Sequence, residues 1–159
     1  MLLTLGYSYH IRDSFFSLVQ DQHLMSNKEN GGYRPHYYCL QDKANPKLYW
    51  AVPISSQVTK YTNVMQKKIQ RNGRCDTIVM GRFSGRDCAF LIQNMFPFTD
   101  NYVDHVHTDN GIPVVLSSQL QTEITSKAMR VLNLRKRVPS ILFTDVEKII
   151  KALQNNGDL

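Results

Sequence analysis

The chain has 159 residues, and 42% of them are hydrophobic, which is enough apolar surface for a core without disulfides or metals. Nineteen Lys and Arg residues outnumber thirteen Asp and Glu residues, and the net charge of +6 favours polyanionic partners because each neutralised phosphate releases counterions. No apolar run reaches the ~20 residues that span a bilayer, and the N-terminus has no basic segment of the kind that begins a secretory signal. Length, composition and charge therefore argue against a membrane or secreted protein, and we expect a cytoplasmic one.

The first elements predicted in chain order are a strand and a short helix. Residues 2–11 mix leucines and tyrosines and predict a strand. Residues 13–24 predict a helix whose apolar side carries Phe16, Val19 and His23.

A loop and a hairpin follow. Residues 26–32 are polar, end in two glycines and predict a loop. Residues 36–41 and 48–54 are short aromatic and β-branched runs, and residues 42–47 between them are typical of a turn. These two runs therefore predict a β-hairpin with a loop of several residues.

The pattern then changes to a helical one. Apolar side chains recur at intervals of three and four, at Val58, Tyr61, Met65 and Ile69, and predict a helix that ends near Asn72. The other face of this helix is basic and carries Lys60, Lys67, Lys68 and Arg71.

The middle of the chain predicts four more short strands. Residues 76–82 and 87–93 flank a turn at residues 83–86, and residues 102–107 and 112–116 follow. Two helices then end the chain. Ser118 with Gln121 and Thr144 with Glu147 are predicted capping boxes that open them. The apolar stripes of these two helices contain Leu120, Ile124, Ala128, Val131 and Leu132, then Val146, Ile149, Ile150 and Leu153.

These elements predict a single α+β domain over residues 1–159, with a small, mostly antiparallel sheet and helices packed on it. The three cysteines are odd in number and have no CxxC spacing, so we expect buried reduced thiols rather than a disulfide framework or a zinc site.

Two adjacent hydroxyls follow the apolar run of residues 48–54. Ser55 and Ser56 lie where the predicted strand gives way to a helix, and free backbone N–H groups at such a junction can bind an anion. Lys60 lies on the first turn of that helix, where an ammonium group can neutralise a phosphate or exchange protons. The structural alternatives are a serine that caps the helix and a lysine on a solvated face.

A second cluster lies where the loop enters the hairpin and consists of Tyr33, Arg34 and His36. Histidine exchanges protons near neutral pH, arginine binds phosphate through its planar fork, and tyrosine can donate to a phosphate oxygen or stack on a base. The structural alternative is an aromatic strand edge with a hydrogen-bonded histidine.

A rival site consists of His105 and His107. On a strand these side chains point to the same side and could share a metal ion, as in a metal-dependent hydrolase. No third ligand stands at a motif spacing, so we expect no metal site. The basic residues 130–137 are either a solvated helix end or part of an RNA groove.

The order of these segments resembles a known family. Tyr33, Pro35 and His36 precede an apolar strand that ends in Pro-Ile-Ser-Ser at residues 53–56, and residues 90–98 form a second apolar strand with a Phe-Pro ending. Together with the two final helices, they resemble the toxin endoribonucleases of type III toxin–antitoxin systems, the ToxN, AbiQ, TenpN and CptN group. The CptN branch is the most similar, and the resemblance covers nearly the whole chain.

This resemblance implies a strongly bent, mostly antiparallel sheet like that of Kid/MazF-type toxins, an SH3-type barrel with added helices. It implies metal-independent RNA cleavage by the 2′-hydroxyl, which leaves a 2′,3′-cyclic phosphate and needs no cofactor. The implied partner is an RNA antitoxin. The toxin cuts it from a repetitive precursor into small pseudoknots, which close with the toxin into a ring, and cellular RNAs are the other substrates.

The resemblance also implies roles for individual residues. Ser56 matches the hydroxyl nearest the reacting phosphate, Ser55 its neighbour and Tyr33 the tyrosine ahead of the strand. Lys60 stands in for a lysine that follows the serine at a shorter spacing in the family. His36 replaces a lysine of some members and could be an acid, a base or a phosphate contact.

The basic residues that we expect to line an RNA groove are Arg34, Lys67, Lys68, Arg71 and Arg74. The alternative to an enzyme is a non-catalytic RNA- or DNA-binding module, in which the serines are helix caps and the tyrosines stack on bases.

Overall fold

A computed structural model describes residues 2–159 as an antiparallel sheet with helices packed on it. The strands are β1 (Ser8–Ile11), β2 (Lys28–Glu29), β3 (Gly32–Tyr33), β4 (His36–Gln41), β5 (Tyr49–Ser55), β6 (Val79–Phe83), β7 (Arg86–Phe90), β8 (Phe96–Phe98), β9 (Val103–Val106), β10 (Thr108–Asp109) and β11 (Ile112–Pro113). The helices are α1 (Asp13–Val19), α2 (Val58–Asn72), α3 (Ser118–Leu134) and α4 (Val146–Asn155), with short 3₁₀ turns at Ile92–Asn94, Asp100–Tyr102 and Pro139–Ile141.

The main sheet has seven strands in the order β6-β7-β5-β4-β1-β9, and β8 joins it by pairing with β5. β5 pairs with β8 along its first three residues and with β7 at its last two, so the sheet bends sharply at this strand. Separate hairpins pair β2 with β3 and β10 with β11. The predicted fold class, α+β with a bent, antiparallel sheet, is confirmed.

The predicted hairpin is present as β4 and β5, with Tyr37 opposite Val52 in the register. The first helix is shorter than predicted: α1 ends at Val19, because Gln20 adopts a left-handed conformation with φ of 46° that stops the helix. His23, predicted on its apolar side, is exposed and lies outside the helix.

The two final helices bury the predicted stripes. Ile124, Ala128 and Val131 of α3 pack into a core cluster with Trp50 and Phe90 of the sheet. α4 places Val146 in that cluster and Ile149 and Leu153 in a second cluster, which surrounds the side chains Phe15, Phe96 and Phe98. Apolar periodicity alone therefore located both faces correctly.

The predicted caps of these helices are wrong by one residue. Ser117, rather than Ser118, caps α3, since its Oγ accepts the Leu120 N–H at 3.2 Å. Asp145, rather than Thr144, caps α4 through the Lys148 N–H at 3.2 Å. The hydroxyl of Thr144 is buried and donates to the Met95 carbonyl at 2.8 Å, so it belongs to the core and does not cap the helix.

α2 covers less of the core than its pattern predicts. Tyr61 is buried in a third cluster with Ile78 and Leu91, whereas Val58 and Met65 are half-buried. Ile69 was predicted to face the core but is 44% exposed. The helix ends at Gly73, whose φ of 77° is a conformation that glycine adopts without strain.

The three cysteines are free and buried, as predicted. No helix within residues 2–159 is long and apolar enough to cross a membrane.

Candidate active site

An open pocket of about 310 Å³ lies at the end of β5. Four parts of the chain meet there: the β2–β3 hairpin, the end of β5, the β6–β7 hairpin and the segment after β9. The lining residues are Glu29, Asn30, Tyr33, Arg34, Pro35, Ile54, Ser56, Phe83, Ser84, Arg86, Cys88, His107 and Asp109. The pocket therefore collects polar groups that are distant in sequence.

The two serines have different environments. Ser55 is the last residue of β5, is buried, and accepts the Gln57 N–H through its Oγ at 3.2 Å. Ser56 is exposed in the connection to α2 and lines the pocket. Gln57 occupies the N-cap position of α2 without a side-chain capping bond, so neither serine is the helix cap that the structural alternative required.

A carboxylate that the sequence analysis did not single out joins the two serines. The backbone N–H and the hydroxyl of Ser56 both donate to Oε1 of Glu29, at 2.8 Å and 2.5 Å. The hydroxyl of Ser55 and Nη1 of Arg34 donate to Oε2, at 3.2 Å and 2.6 Å. Asn30 Nδ2 also donates to the Ser56 oxygen at 3.0 Å. Four donors thus converge on one anionic group.

The convergence keeps Glu29 ionised. Burial by itself would raise the pKa of this carboxyl, but the hydrogen bonds from Ser56 and the charge of Arg34 outweigh it and hold the pKa below its usual value. The side chains of Arg34 and Glu29 are only 5% and 16% exposed, so the pair is largely removed from water.

Arg34 ties the hairpin to the sheet. Its guanidinium also donates to the Ser26 carbonyl at 2.9 Å and to the Ile54 carbonyl at 3.0 Å. Arg34 was predicted to bind RNA in a groove, but the structure places it beneath the site, where it fixes Glu29 at the end of β5.

Tyr33 lies at the rim of the pocket. Its ring is half exposed with Lys28 Nζ 5.2 Å from its centroid, and its hydroxyl donates to Asp13 at 3.0 Å. The exposed ring face is therefore available for stacking on a base.

His36 is not part of the pocket. It is 1% exposed, packs between Phe16 and Phe96, and neither of its ring nitrogens has a hydrogen-bond partner among residues 2–159. Burial, followed by the charges of Arg34 and His10, lowers the pKa of His36 to about 3. The structure does not bring this predicted acid or base together with the serines.

The predicted basic residues divide into two groups. Lys67 and Arg71, predicted for the RNA groove, are exposed on α2. Lys60, predicted to neutralise the phosphate or exchange protons, lies on the first turn with its Nζ 5.2 Å from the ring centroid of Tyr61 and is not among the residues that line the pocket. Lys68 instead donates to Thr77 and Gln93, at 2.7 Å and 3.0 Å, and its burial lowers its pKa.

Arg74 forms an ion pair with Asp76 at 2.9 Å. The exposed basic residues of α2 are therefore Lys60, Lys67 and Arg71, which share one face of the helix by their spacing of seven and four residues.

Three histidines form a cluster at one side of the pocket. Nε2 of His10 and Nδ1 of His107 are 2.8 Å apart, and Nε2 of His107 lies 3.3 Å from the Ser84 hydroxyl. The rings of His105 and His10 stack with their centroids 4.6 Å apart, and His105 Nδ1 bonds to Asp104 at 2.6 Å.

The rival metal site is not formed by these side chains. The rings of His105 and His107 flank His10, and no group of three His, Cys, Asp or Glu side chains within the described range 2–159 is arranged to hold a metal ion.

The sequence analysis missed Glu29, Arg86, His10 and a role for His107 in this pocket. One signal was present: Asn30-Gly31 is a strong hairpin dipeptide, and both residues have positive φ (54° and 82°) in the β2–β3 turn. A hairpin at this position would have predicted a strand pair that carries Glu29. No local pattern indicated that Arg86 and His107 would reach the same pocket.

Comparisons with known proteins give matches among solved structures, where twelve chains are similar. No protein-family model matches the chain, and no curated protein sequence is similar to it. Its fold is that of a solved α+β protein, to which it aligns over 97% of its own length and 99% of the other chain, with a TM-score of 0.70 and 14% sequence identity. That protein is AbiQ, a lactococcal anti-phage endoribonuclease that belongs to a type III toxin–antitoxin system. At this identity the likeness establishes a shared fold.

Proposed function

We propose that the chain is an endoribonuclease and the toxin of a type III toxin–antitoxin system. The observation that carries the proposal is the pocket at the end of β5, in which donors converge on an anion, on a fold shared along its whole length with an endoribonuclease. The resemblance of the order of segments to the same toxin group, in which no single motif is highly specific, supports it from the sequence.

The pocket suits a phosphodiester. A backbone N–H, hydroxyls and a guanidinium gather at its floor, where they bind the Glu29 carboxylate in the free protein, and groups of these kinds also bind phosphate oxygens. Ser56 and Asn30 line the open side, and the exposed guanidinium of Arg86 contributes positive charge. We propose that the Ser56 hydroxyl, whose one proton goes to Glu29 in the free protein, turns that proton to the reacting phosphate when RNA binds, and that Arg86 neutralises the phosphate charge.

The residues beneath the pocket hold this arrangement. Ser55 and Arg34 fix Glu29, and Glu29 in turn fixes Ser56 through two hydrogen bonds. We assign to these residues a positioning role, because they hold the backbone of Ser56 in place and only its hydroxyl has to turn toward the phosphate.

The path of the RNA follows from the basic surface. The face formed by Lys60, Lys67 and Arg71 begins four residues after Ser56 and leads away along α2. On the other side, a depression of about 670 Å³ adjoins the pocket through Ser84 and Asp109. We propose that RNA runs between the two across Ser56, with a base stacked on Tyr33.

The proposed reaction is cleavage by the neighbouring 2′-hydroxyl, without a metal ion, to give a 2′,3′-cyclic phosphate and a 5′-hydroxyl. The proposed partner is a repetitive RNA antitoxin, cut into pseudoknots that close with the protein into a ring in the cytoplasm. The whole chain, residues 1–159, acts as one domain in this proposal. The protein expressed with its upstream DNA should then retain a discrete short RNA.

Replacement of Ser56 tests the enzyme proposal. We expect Ser56→Ala to reduce the cleavage rate of a wild-type substrate RNA at least about 100-fold, because a donor to the reacting phosphate is removed. RNA affinity should stay near that of the wild-type protein, and the variant should fold with a lower melting temperature, because one hydrogen bond to Glu29 is lost. Cleavage should persist in excess chelator and should leave cyclic phosphate ends.

The control is Ser126→Ala on the exposed surface of α3, which should cut at the wild-type rate. Unchanged cleavage by Ser56→Ala would remove Ser56 from the site. A wild-type protein that binds RNA without cutting it would indicate the non-catalytic binding module instead.

A further inference from the structure

His107 reaches the pocket from a segment held firmly on both sides. It follows β9, its backbone N–H donates to the Ser8 carbonyl at 2.8 Å, and its carbonyl accepts the Val114 N–H at 3.1 Å. Its ring packs against Phe83 with centroids 5.0 Å apart. The imidazole therefore has a fixed position among the residues that line the pocket with Ser56 and Arg86.

The hydrogen bond to His10 gives the two ring nitrogens of His107 different environments. When Nδ1–H of His107 donates to Nε2 of His10, 2.8 Å away, the lone pair of His107 Nε2 faces Ser84 and the pocket. The second nitrogen of His10 is buried without a partner in the described chain, so His10 has no other group to orient it. This arrangement matches a proton acceptor held by a second group.

The charges around the pair favour neutral rings. Burial, then His105 and His107, lowers the pKa of His10 to about 4, and Asp104 opposes this only in part. Burial also lowers the pKa of His107, with Asp109 raising it and His105 lowering it further. His10 thus remains a neutral ring near pH 7, and a neutral imidazole can accept a hydrogen bond at one of its nitrogens.

Five other side chains that line the pocket, those of Glu29, Arg34, Arg86, Cys88 and Tyr33, are less suited to accept a proton. Glu29 already accepts four hydrogen bonds, and Arg34 and Arg86 stay charged. Burial raises the pKa of Cys88, which keeps it a thiol, and the Tyr33 hydroxyl donates to Asp13.

We propose that His107 is the residue that accepts the proton at this pocket, and that His10 is the positioning residue that holds its ring. The inference rests on the proposed RNA cleavage and adds the group that moves the proton.

His107 Nε2 takes the proton of the 2′-hydroxyl while the 2′-oxygen bonds to phosphorus, and the bond from phosphorus to the 5′-oxygen breaks. The leaving oxygen takes a proton from a water molecule in the open pocket. The resulting hydroxide then removes the proton from His107, and no oxidant, reductant or metal ion is consumed.

Three measurements on one RNA that the wild-type protein cleaves test this inference. For the wild-type protein, kcat/KM should rise with pH and level off above an inflection below pH 6.5, the ordinary pKa of histidine. His107→Ala should lose about 10²- to 10⁴-fold in rate together with this inflection. Added imidazole should restore part of the lost rate, whereas His23→Ala, which changes an exposed histidine, should match the wild-type protein.

Two further variants separate the positioning role from a structural one. His10→Phe removes the acceptor and should lower kcat at least about 10-fold with KM unchanged, whereas His10→Gln supplies an amide oxygen and should recover much of kcat. If His107→Ala does not fold, His107→Gln keeps the volume of the side chain and should show the same loss of rate and of pH inflection.

The outcomes distinguish this inference from the proposed function. A wild-type protein that cuts no RNA overturns both. If the wild-type protein cuts and Ser56→Ala does not, a full rate or an unchanged pH profile in the His107 variants overturns the inference alone. Slow His107 variants that keep the wild-type inflection and do not respond to imidazole also overturn it.

Discussion

At the scale of single residues, environment decides which polar groups can act. Ser56 and His36 both stand in motifs that predict chemistry, yet only Ser56 reaches the pocket surface. His36 lies among aromatic rings, where the charged form of an imidazole has neither water nor a counter-charge. The aromatic pattern around His36 therefore belongs to a buried strand, and we expect protonation of His36 to affect the stability of the protein rather than catalysis.

Because the pKa of His36 is lowered to about 3 in the folded protein, from an ordinary value of 6.5, the unfolded chain binds this proton more readily. The contribution of His36 to the free energy of unfolding is therefore fully present above pH 6.5 and is lost as the pH falls toward 3. Between pH 6.5 and 5.0 the contribution of His36 should fall by about 1–2 kcal/mol. Urea unfolding at both pH values should show a smaller loss for His36→Phe than for the wild-type protein.

The comparison uses the change with pH, so any packing cost of the larger ring cancels. His10 contributes to the slope in both proteins and does not affect the difference. Equal losses in the two proteins would show that His36 is accessible to protons in the folded state.

At the scale of elements, turns and caps decide where each side chain is delivered. The β2–β3 hairpin turns at Asn30-Gly31 and thereby brings Glu29 back onto the end of β5. The β6–β7 hairpin turns at Ser84-Gly85 and brings Ser84 to His107. The site is therefore assembled by two tight turns rather than by one contiguous motif.

The cap of α4 gives a test at this scale. Asp145→Ala removes the acceptor for the Lys148 N–H, and we expect a loss of about 1 kcal/mol in the free energy of unfolding. For a chain of this length this corresponds to roughly 2–4 °C in melting temperature. Asp145→Asn keeps a good capping side chain and should lose much less, and an equal loss in the two variants would contradict the assignment of the cap.

At the scale of the whole molecule, the excess of positive charge can attract RNA only where exposed basic side chains lie together on the surface. Several basic side chains are engaged within the protein: Arg34 with Glu29, Lys68 with Thr77 and Gln93, and Arg74 with Asp76. The exposed face of α2 keeps Lys60, Lys67 and Arg71 beside the site. Salt dependence of RNA binding should therefore depend on this face and not on net charge alone.

Removal of two charges from this face gives the corresponding prediction. The double variant Lys67→Gln with Arg71→Gln should reduce the slope of log K against log salt by about 0.7 for each RNA phosphate that the protein no longer neutralises. The double variant Lys43→Gln with Lys47→Gln removes the same charge from the exposed β4–β5 loop and should leave the slope near the wild-type value. Fluorescence anisotropy with one labelled RNA measures both, and equal slopes would place the RNA elsewhere.

The sequence by itself determined the class of fold, the β4–β5 hairpin, the buried stripes of α3 and α4 and the serine pair at the end of β5. These features depend on apolar periodicity, turn residues and order along the chain, which are local properties that a single sequence displays. The resemblance of motif order to the type III toxins has the same origin.

Only the tertiary structure decided which groups surround Ser56. Glu29, Arg86 and His107 are separated by many residues. They meet because antiparallel pairing and the bend at β5 bring two hairpins, the end of β5 and the segment after β9 to one pocket. Burial decided which of the predicted groups remain accessible, since His36 and Arg34 lie below the surface. Partial burial also lowers the pKa of His107, which favours the neutral ring at the pocket. Side-chain identity is local, whereas solvation and long-range contact belong to the folded chain.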